Sequence, residues 1–231
     1  MHRIVIKLSG SAFKAPINVG LIKGLCDTFT SIIIKEGIQP IIVAGGGEVA
    51  RTYINAMRTL KSDETTLDEM GIAVSRLNAR IIIAGLGNSA YPLVSSNMDE
   101  VLVALASNKA VVLGGLYPGH STNATAALVA EKSDSDLFIN ATDVDGVYSS
   151  DPRIDKKAKK FTKIDTKELF NLIGKSPMIA GAYDLIDPLS IKVIERSKIK
   201  TRIILCTPKN IMDAIKGAPI GTEVVVGEVD F

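Results

Sequence analysis

Lys7 closes an apolar run and is followed at once by Leu8-Ser9-Gly10-Ser11, a cation set beside a glycine turn. Residues 44–51 read AGGGEVAR, three glycines and then an arginine one helical turn on. Residues 114–125 read GGLYPGHSTNAT, and residues 140–152 read NATDVDGVYSSDP. The first three stretches offer small residues and bare backbone N–H groups, which suit phosphate oxygens. A helix opening directly after such a turn adds the positive end of its dipole. The fourth offers carboxylates and Tyr148, which better suit a sugar hydroxyl, a base or a magnesium ion. The chemistry implied is the handling of phosphates, with nucleotide as one candidate.

Several other readings of these residues fail. The pattern G-x-x-x-x-G-K-[ST] is absent, so a P-loop enzyme is disfavoured. Gly45, Gly47 and Ala50 do satisfy G-x-G-x-x-[GA], with Asp63, Glu64 and Asp68 downstream, which keeps a dinucleotide-binding dehydrogenase as a rival. Against it, the match follows the second strand rather than the first, and hydride transfer needs no further phosphate loop at 114–122. Asp143, Asp145 and Gly146 mimic part of a calcium loop, but Ala141 and Pro152 stand where its first and twelfth ligands belong. His120 has no Ser–Asp or Cys arrangement in view and reads as a loop hydrogen-bonding group. The Lys156–Lys160 run reads as a solvated loop.

These stretches need elements to hold them. Residues 3–8 form a buried apolar strand. Asn18 caps a helix running through Lys35, with Val19, Ile22, Leu25, Cys26, Phe29, Ile32 and Ile33 at helical spacing and Gly37 as the stop. A second strand spans 40–44, and a helix from about Val49 to Leu60 follows. Another helix covers about 67–86, with Met70, Val74, Leu77 and Ile81 on one face. Residues 109–115 and 136–142 read as further strands with a helix over 123–133 between them. Continuous apolar strands alternating with helices predict a parallel sheet covered on both faces, its loops gathered at the carboxyl edge. Beyond about 145 the chain turns polar and Lys-rich. Helices follow over about 166–174 and 185–198, and strands over 201–207 and 221–229 with a short helix between.

The chain has 231 residues, a formal net charge of +2 and two cysteines. So slight a basic excess does not argue for nucleic acid. Cys26 and Cys206 lack metal-ligand spacing and read as reduced core residues. The opening residues are too short an apolar run for a secretory signal, and the apolar runs in general fall short of a membrane span. A cytoplasmic protein without a membrane partner is expected.

Taken in order, "GGGEVAR", "GGLYPGHSTNATAALVAE", "ATDVDGVYSSDPR" and "IDPLSIKVIERSKIK" resemble the amino-acid-kinase superfamily, and within it the uridylate kinases of archaeal type. The resemblance runs nearly end to end. It implies a three-layer α/β/α sandwich around a mainly parallel sheet, with an acceptor lobe over about 1–140 and an ATP lobe over about 141–231. It implies transfer of a phosphoryl group from ATP to UMP, with Mg2+ carried on the ATP phosphates and no dedicated protein metal ligands. A homohexamer is also implied. The alternatives are a kinase of another small acid or phosphate, such as isopentenyl phosphate or carbamate, and a nucleotide-binding regulator without catalysis.

Residue by residue, Lys7 would reach the transferred group, with Gly10 and Ser11 cradling it. Gly46 would approach the UMP phosphate, Gly47 the donor phosphates, and Arg51 would clamp phosphate. By the resemblance, Asp68 would take the ribose hydroxyls of UMP. Leu116, Tyr117, Pro118, Gly119, His120, Ser121 and Thr122 would wrap its phosphate and base. Thr142, Asp143, Tyr148 and Asp151 would hold the adenosine of ATP. Asp187 resembles the aspartate that orients the lysine, with a plain helix cap as the other reading. Asn123 stands where many relatives carry Asp, which puts a carboxylate role there in doubt.

Overall fold

The structure, a computed structural model, describes residues 1–173 and 185–227. Seven strands form one sheet: β1 (Arg3–Leu8), β2 (Gln39–Ala44), β3 (Val111–Leu113), β4 (Leu137–Thr142), β5 (Lys163–Asp165), β6 (Thr201–Leu205) and β7 (Thr222–Val225). Their spatial order is β3-β2-β1-β4-β6-β7-β5. β3, β2, β1, β4 and β6 run parallel, and β7 turns antiparallel to β6. A parallel interior of this kind is buried on both faces, which is why its strands read as apolar runs without alternation.

The helices are α1 (Val19–Ser31), α2 (Gly47–Thr59), α3 (Glu64–Leu86), α4 (Met98–Leu105), α5 (Thr122–Lys132), α6 (Thr166–Ile173), α7 (Pro188–Ser197) and α8 (Pro208–Ile215). Successive residues of β1 point to opposite faces. Val5 joins a core with α4, α5, α6 and α7. Ile4, Ile6 and Leu8 join a second core with α1, α3 and α8. The expected three-layer α/β/α sandwich is present, and β1, β2, β3 and β4 all end at one edge.

Local differences from the sequence reading have physical reasons. α1 gives way to a widened π turn over Ile32–Glu36 before Gly37, at φ 65°, ends it. Val19 points to solvent, 73% exposed. α2 begins at Gly47, two residues earlier than about Val49, because no Cβ hinders the turn into it. α3 begins at Glu64, with the Asp63 carboxylate accepting from Thr66 N–H at 3.0 Å. Its buried stripe is Leu67, Val74, Asn78, Ile82 and Leu86, so Leu77 faces out at 58% exposure. A polar Asn in the buried stripe shifts the apparent register of the apolar ones. By length and composition α3 could cross a membrane, yet it packs between α1, α2 and the strands β2 and β3.

β3 is shorter than the 109–115 run, since Gly114 and Gly115 leave the sheet to pack on α3. α4 was not foreseen. It carries a reciprocal cap in which Asn97 accepts from Glu100 N–H and donates to the Glu100 carboxylate, both at 2.9 Å. β5 falls in the stretch read only as polar and Lys-rich. α7 starts at Pro188 rather than 185. Gly174, the last residue of the expected 166–174 helix, lies outside the described residues, as do the final residues of the 221–229 strand. Cys26 and Cys206 are free thiols, and burial pushes each up to about 11. Both therefore stay protonated and unreactive at neutral pH.

Candidate active site

The carboxyl edge is built around two glycine turns pressed backbone to backbone. A Cβ on Gly10 would lie 2.1 Å from Gly47 Cα, and one on Gly47 would lie 2.3 Å from Gly10 O. Gly47 also holds φ 69°, a left-handed conformation that disfavours side chains. So both glycines are required by contact, and Gly47 by conformation as well. Among the described residues no side chain caps α2, so its first N–H groups are left for solvent or a ligand. Ser9 caps that turn, its Oγ accepting from Ser11 N–H at 3.2 Å and from Ser11 Oγ at 3.0 Å.

α3 lies beneath and grips both glycine segments. Asn78 Nδ2 donates to Gly45 O at 2.8 Å and to Gly46 O at 3.3 Å. Ser75 Oγ accepts from Gly115 N–H at 2.8 Å. Arg76 donates to Gly115 O, Leu116 O and Ser96 O. These residues were missed by the sequence reading. The signal was there in a run of polar residues, Ser75, Arg76 and Asn78, inside an otherwise apolar helix.

Two more helix N-termini meet across the edge. Ser121 caps α5, its Oγ accepting from Ala124 N–H at 3.0 Å. Asp187 caps α7, accepting from Ser190 N–H at 3.0 Å and from the Ser190 hydroxyl. Ser121 Oγ then donates to Asp187 Oδ2 at 2.5 Å, tying the starts of α5 and α7 together. Asp187 is thus a cap and a cavity residue at once.

Between these parts lie two cavities. The larger, about 430 Å³, is lined by Lys7, Gly10, Ser11, Asp143 and Asp187, and also by Ser9, Lys14, Asn123 and Arg153. Lys7 reaches it from the end of β1 while only 6% exposed. Four cationic side chains (Lys7, Lys14, Arg51, Arg153) face it against two carboxylates, a balance suited to polyphosphate. The smaller, about 210 Å³, is lined by Asp68, Gly71, Ile72, Ser75, Gly115 and His120. Both share one wall made of Gly46, Gly47, Arg51, Ser121 and Thr122. That wall joins the N-termini of α2 and α5 with a guanidinium.

Other sequence-predicted residues line neither cavity. Thr142 turns its hydroxyl into its own loop, donating to Val144 O at 2.8 Å. Tyr148 donates its hydroxyl to Asp145 at 2.7 Å. Asp151 pairs with Arg153, whose guanidinium holds the carboxyl below the usual carboxylate range and also reaches Asp143 at 3.1 Å. Arg153, unforeseen, therefore fastens two of the predicted ATP residues to each other. Leu116 is buried in the core. Tyr117 is exposed and stands edge-on to His120 with ring centroids 6.0 Å apart. Pro118 is exposed. Gly119, at φ 77°, donates its N–H to Asp68 Oδ2 at 2.7 Å. Asp68 is accordingly occupied with the loop as well as facing the cavity. Among the described residues no cluster of three or more His, Cys, Asp or Glu side chains could hold a metal ion.

Comparison with known proteins agrees with this fold. A sequence model of the amino acid kinase family matches residues 2–205. A uridylate kinase of Archaeoglobus fulgidus is 42% identical over 95% of this chain and 98% of its own length. One of Natronomonas pharaonis is 37% identical over 98% of this chain and 100% of its own. The crystal structure of the Archaeoglobus fulgidus uridylate kinase superposes with a TM-score of 0.86 at 41% identity, covering 96% of this chain and 99% of that one. The UMP kinase of Bacillus anthracis shares the fold at 19% identity, with a TM-score of 0.81 over 98% of this chain and 96% of that one. With the family model spanning most of its length and its closely similar relatives sharing one name, this chain belongs to the amino acid kinase family, among the uridylate kinases.

Proposed function

We propose that this protein transfers the γ-phosphoryl group of ATP to UMP, giving ADP and UDP. The observation that carries the reading is the shared wall: two cavities of different size and polarity meet at two helix N-termini and Arg51. ATP takes the larger, cation-rich cavity and UMP the smaller. An oxygen of the UMP phosphate attacks the γ phosphorus while the bond from that phosphorus to the β–γ bridging oxygen breaks, the electron pair leaving on ADP. Two anions must be brought together for this, so the protein's work is positioning and charge neutralisation.

Lys7 draws off charge from the transferred group, with Gly10 and Gly47 letting backbone N–H groups approach it. Arg51, in the wall common to both cavities, grips phosphate from either side. Ser121 and Thr122 present the start of α5 to the acceptor phosphate, and Asp187 holds Ser121 in place. Asp68 and His120 face the acceptor nucleotide. Asp143, with Arg153 and Asp151 behind it, borders the donor. Gly46 meets the acceptor phosphate; Ser11 flanks the donor. Thr142 and Tyr148 shape the donor loop through Val144 and Asp145.

Mg2+ held on the phosphate oxygens of ATP would offset the charge that builds during transfer. The residues present fit that arrangement. Asn123 Oδ1 is a buried acceptor on the wall of the larger cavity with no hydrogen-bond donor among the described residues, a place for a water of the ion. The chain divides into an acceptor lobe over about 1–140 and an ATP lobe over about 141–231, with the end of β1 contributing Lys7, Gly10 and Ser11 to the donor cavity. A cytoplasmic homohexamer serving pyrimidine nucleotide synthesis completes the proposal.

The test is ADP formation from Mg-ATP with UMP, CMP, dUMP, AMP, isopentenyl phosphate and carbamate in parallel. Preferred turnover of UMP is expected. Preference for another acceptor would keep the donor site and replace the acceptor, and ATP binding without turnover of any would leave a regulator.

A further inference from the structure

Gly115 begins the loop that carries His120, Ser121 and Thr122 to the smaller cavity. Its peptide is held on both sides by α3. Ser75 takes its N–H at 2.8 Å, and Arg76 Nε donates to its carbonyl at 3.1 Å. The same guanidinium donates through Nη2 to Ser96 O at 2.9 Å and to Leu116 O at 3.4 Å. Ser96 in turn gives its N–H and hydroxyl to Glu100 at 2.7 and 2.9 Å, which extends the hold to the start of α4. The contact is close enough that a Cβ on Gly114 would stand 2.7 Å from Arg76 N, and one on Gly115 2.9 Å from Ile72.

Arg76 itself lines neither cavity. Its planar fork spans three carbonyls on two chain segments, which a single ammonium cannot reproduce. Hydrogen bonds with one charged partner are about twice as strong as neutral ones. We propose that Arg76 is a positioning residue for the acceptor site, setting the loop 114–122 against α3 so that His120 and the start of α5 meet the acceptor. This rests on the assignment of the smaller cavity to UMP. The wall shared with the donor cavity is held by further bonds that do not involve Arg76, Asn78 on Gly45 and Gly46 and Asp187 on Ser121. Loss of Arg76 therefore separates the two substrates in its effect.

The experiment compares the parent chain with Arg76→Met, of similar length without donors, and with Arg76→Lys. In Arg76→Met the KM for UMP rises by about ten- to a hundredfold, the scale of a displaced binding group, while the KM for ATP stays within about twofold. Arg76→Lys recovers part of the loss. Amide hydrogen exchange, read without substrate, speeds up over residues 115–122 in Arg76→Met and is unchanged over 45–47. Equal rises in both KM values, or unchanged KM for UMP with unchanged exchange in the loop, would overturn the proposal. Failure of the parent chain to use UMP would sink the functional assignment alone. The exchange comparison then still decides whether Arg76 sets the loop.

Discussion

Replacing Lys7 with alanine is expected to lower kcat by about 10²- to 10³-fold, the usual loss when one donor aimed at developing charge is removed. Lys7 sits at the end of β1, paired across the sheet with Val43 and Asn140, and enters the larger cavity nearly without solvent exposure. A lysine so placed is there for a ligand or a neighbouring charge, because burial of an ammonium is otherwise unfavourable. Arginine in its place keeps the charge but brings a larger planar group against the Gly10–Gly47 contact, so Lys7→Arg should recover little. Both variants should bind ATP, and single-turnover measurement will separate the lost chemistry from binding. Near-normal turnover of Lys7→Ala would remove the lysine from the mechanism.

Gly47→Ala is expected to cost the site more activity than a single methyl group usually does. The left-handed backbone at Gly47 alone costs a non-glycine residue about 1–2 kcal/mol. The added carbon would also stand 2.3 Å from Gly10 O, a backbone atom that cannot swing aside. The two turns must part, carrying the start of α2 and Arg51 away from the shared wall. A displacement of about 1 Å there is worth on the order of 10²-fold in kcat/KM. Gly37→Ala is the control. Gly37 has φ 65° but open space around it. It should lose about 1 kcal/mol of stability by chemical denaturation and none of the activity. If Gly47→Ala behaves like Gly37→Ala, the close approach of the two turns has no catalytic meaning.

Much of the sheet was readable from the chain because parallel strands buried on both faces leave unbroken apolar runs, as in residues 3–8 and 40–44. The glycine turns were readable for the complementary reason, that backbone contact excludes side chains. α3 shows where such reading stops. Its buried stripe includes Asn78, which looks like a surface residue until its partners, the carbonyls of Gly45 and Gly46, are brought near by the fold. Treating it as exposed rotates the helix and puts Leu77 inside. α4 was hidden because its eight residues follow a loop without a strong period, and only the Asn97–Glu100 cap announces it.

The same division runs through the site. Lys7, Gly10, Gly46, Gly47, Arg51, Ser121, Thr122 and Asp187 all come from ends of strands or starts of helices, where position along the chain fixes direction. They converge on the two cavities. Thr142 closes β4, and Tyr148 and Asp151 lie in the long irregular loop after it; their side chains bond within that loop, to Val144, Asp145 and Arg153. Nothing in the spacing of residues 140–152 foretells those partners. Arg153 and Lys14 were passed over because a lone cation in a polar loop carries no pattern of its own.

The most direct test of the two-cavity account is a crystal structure with UMP and a non-hydrolysable ATP analogue bound together. The account predicts the analogue's phosphates beside Lys7 and Gly10, the uridine beside Asp68 and His120, and the two phosphate ends meeting directly beside Gly47, Arg51 and Thr122. UMP seated in the larger cavity, or the two phosphate ends separated by an intact protein wall, would contradict it.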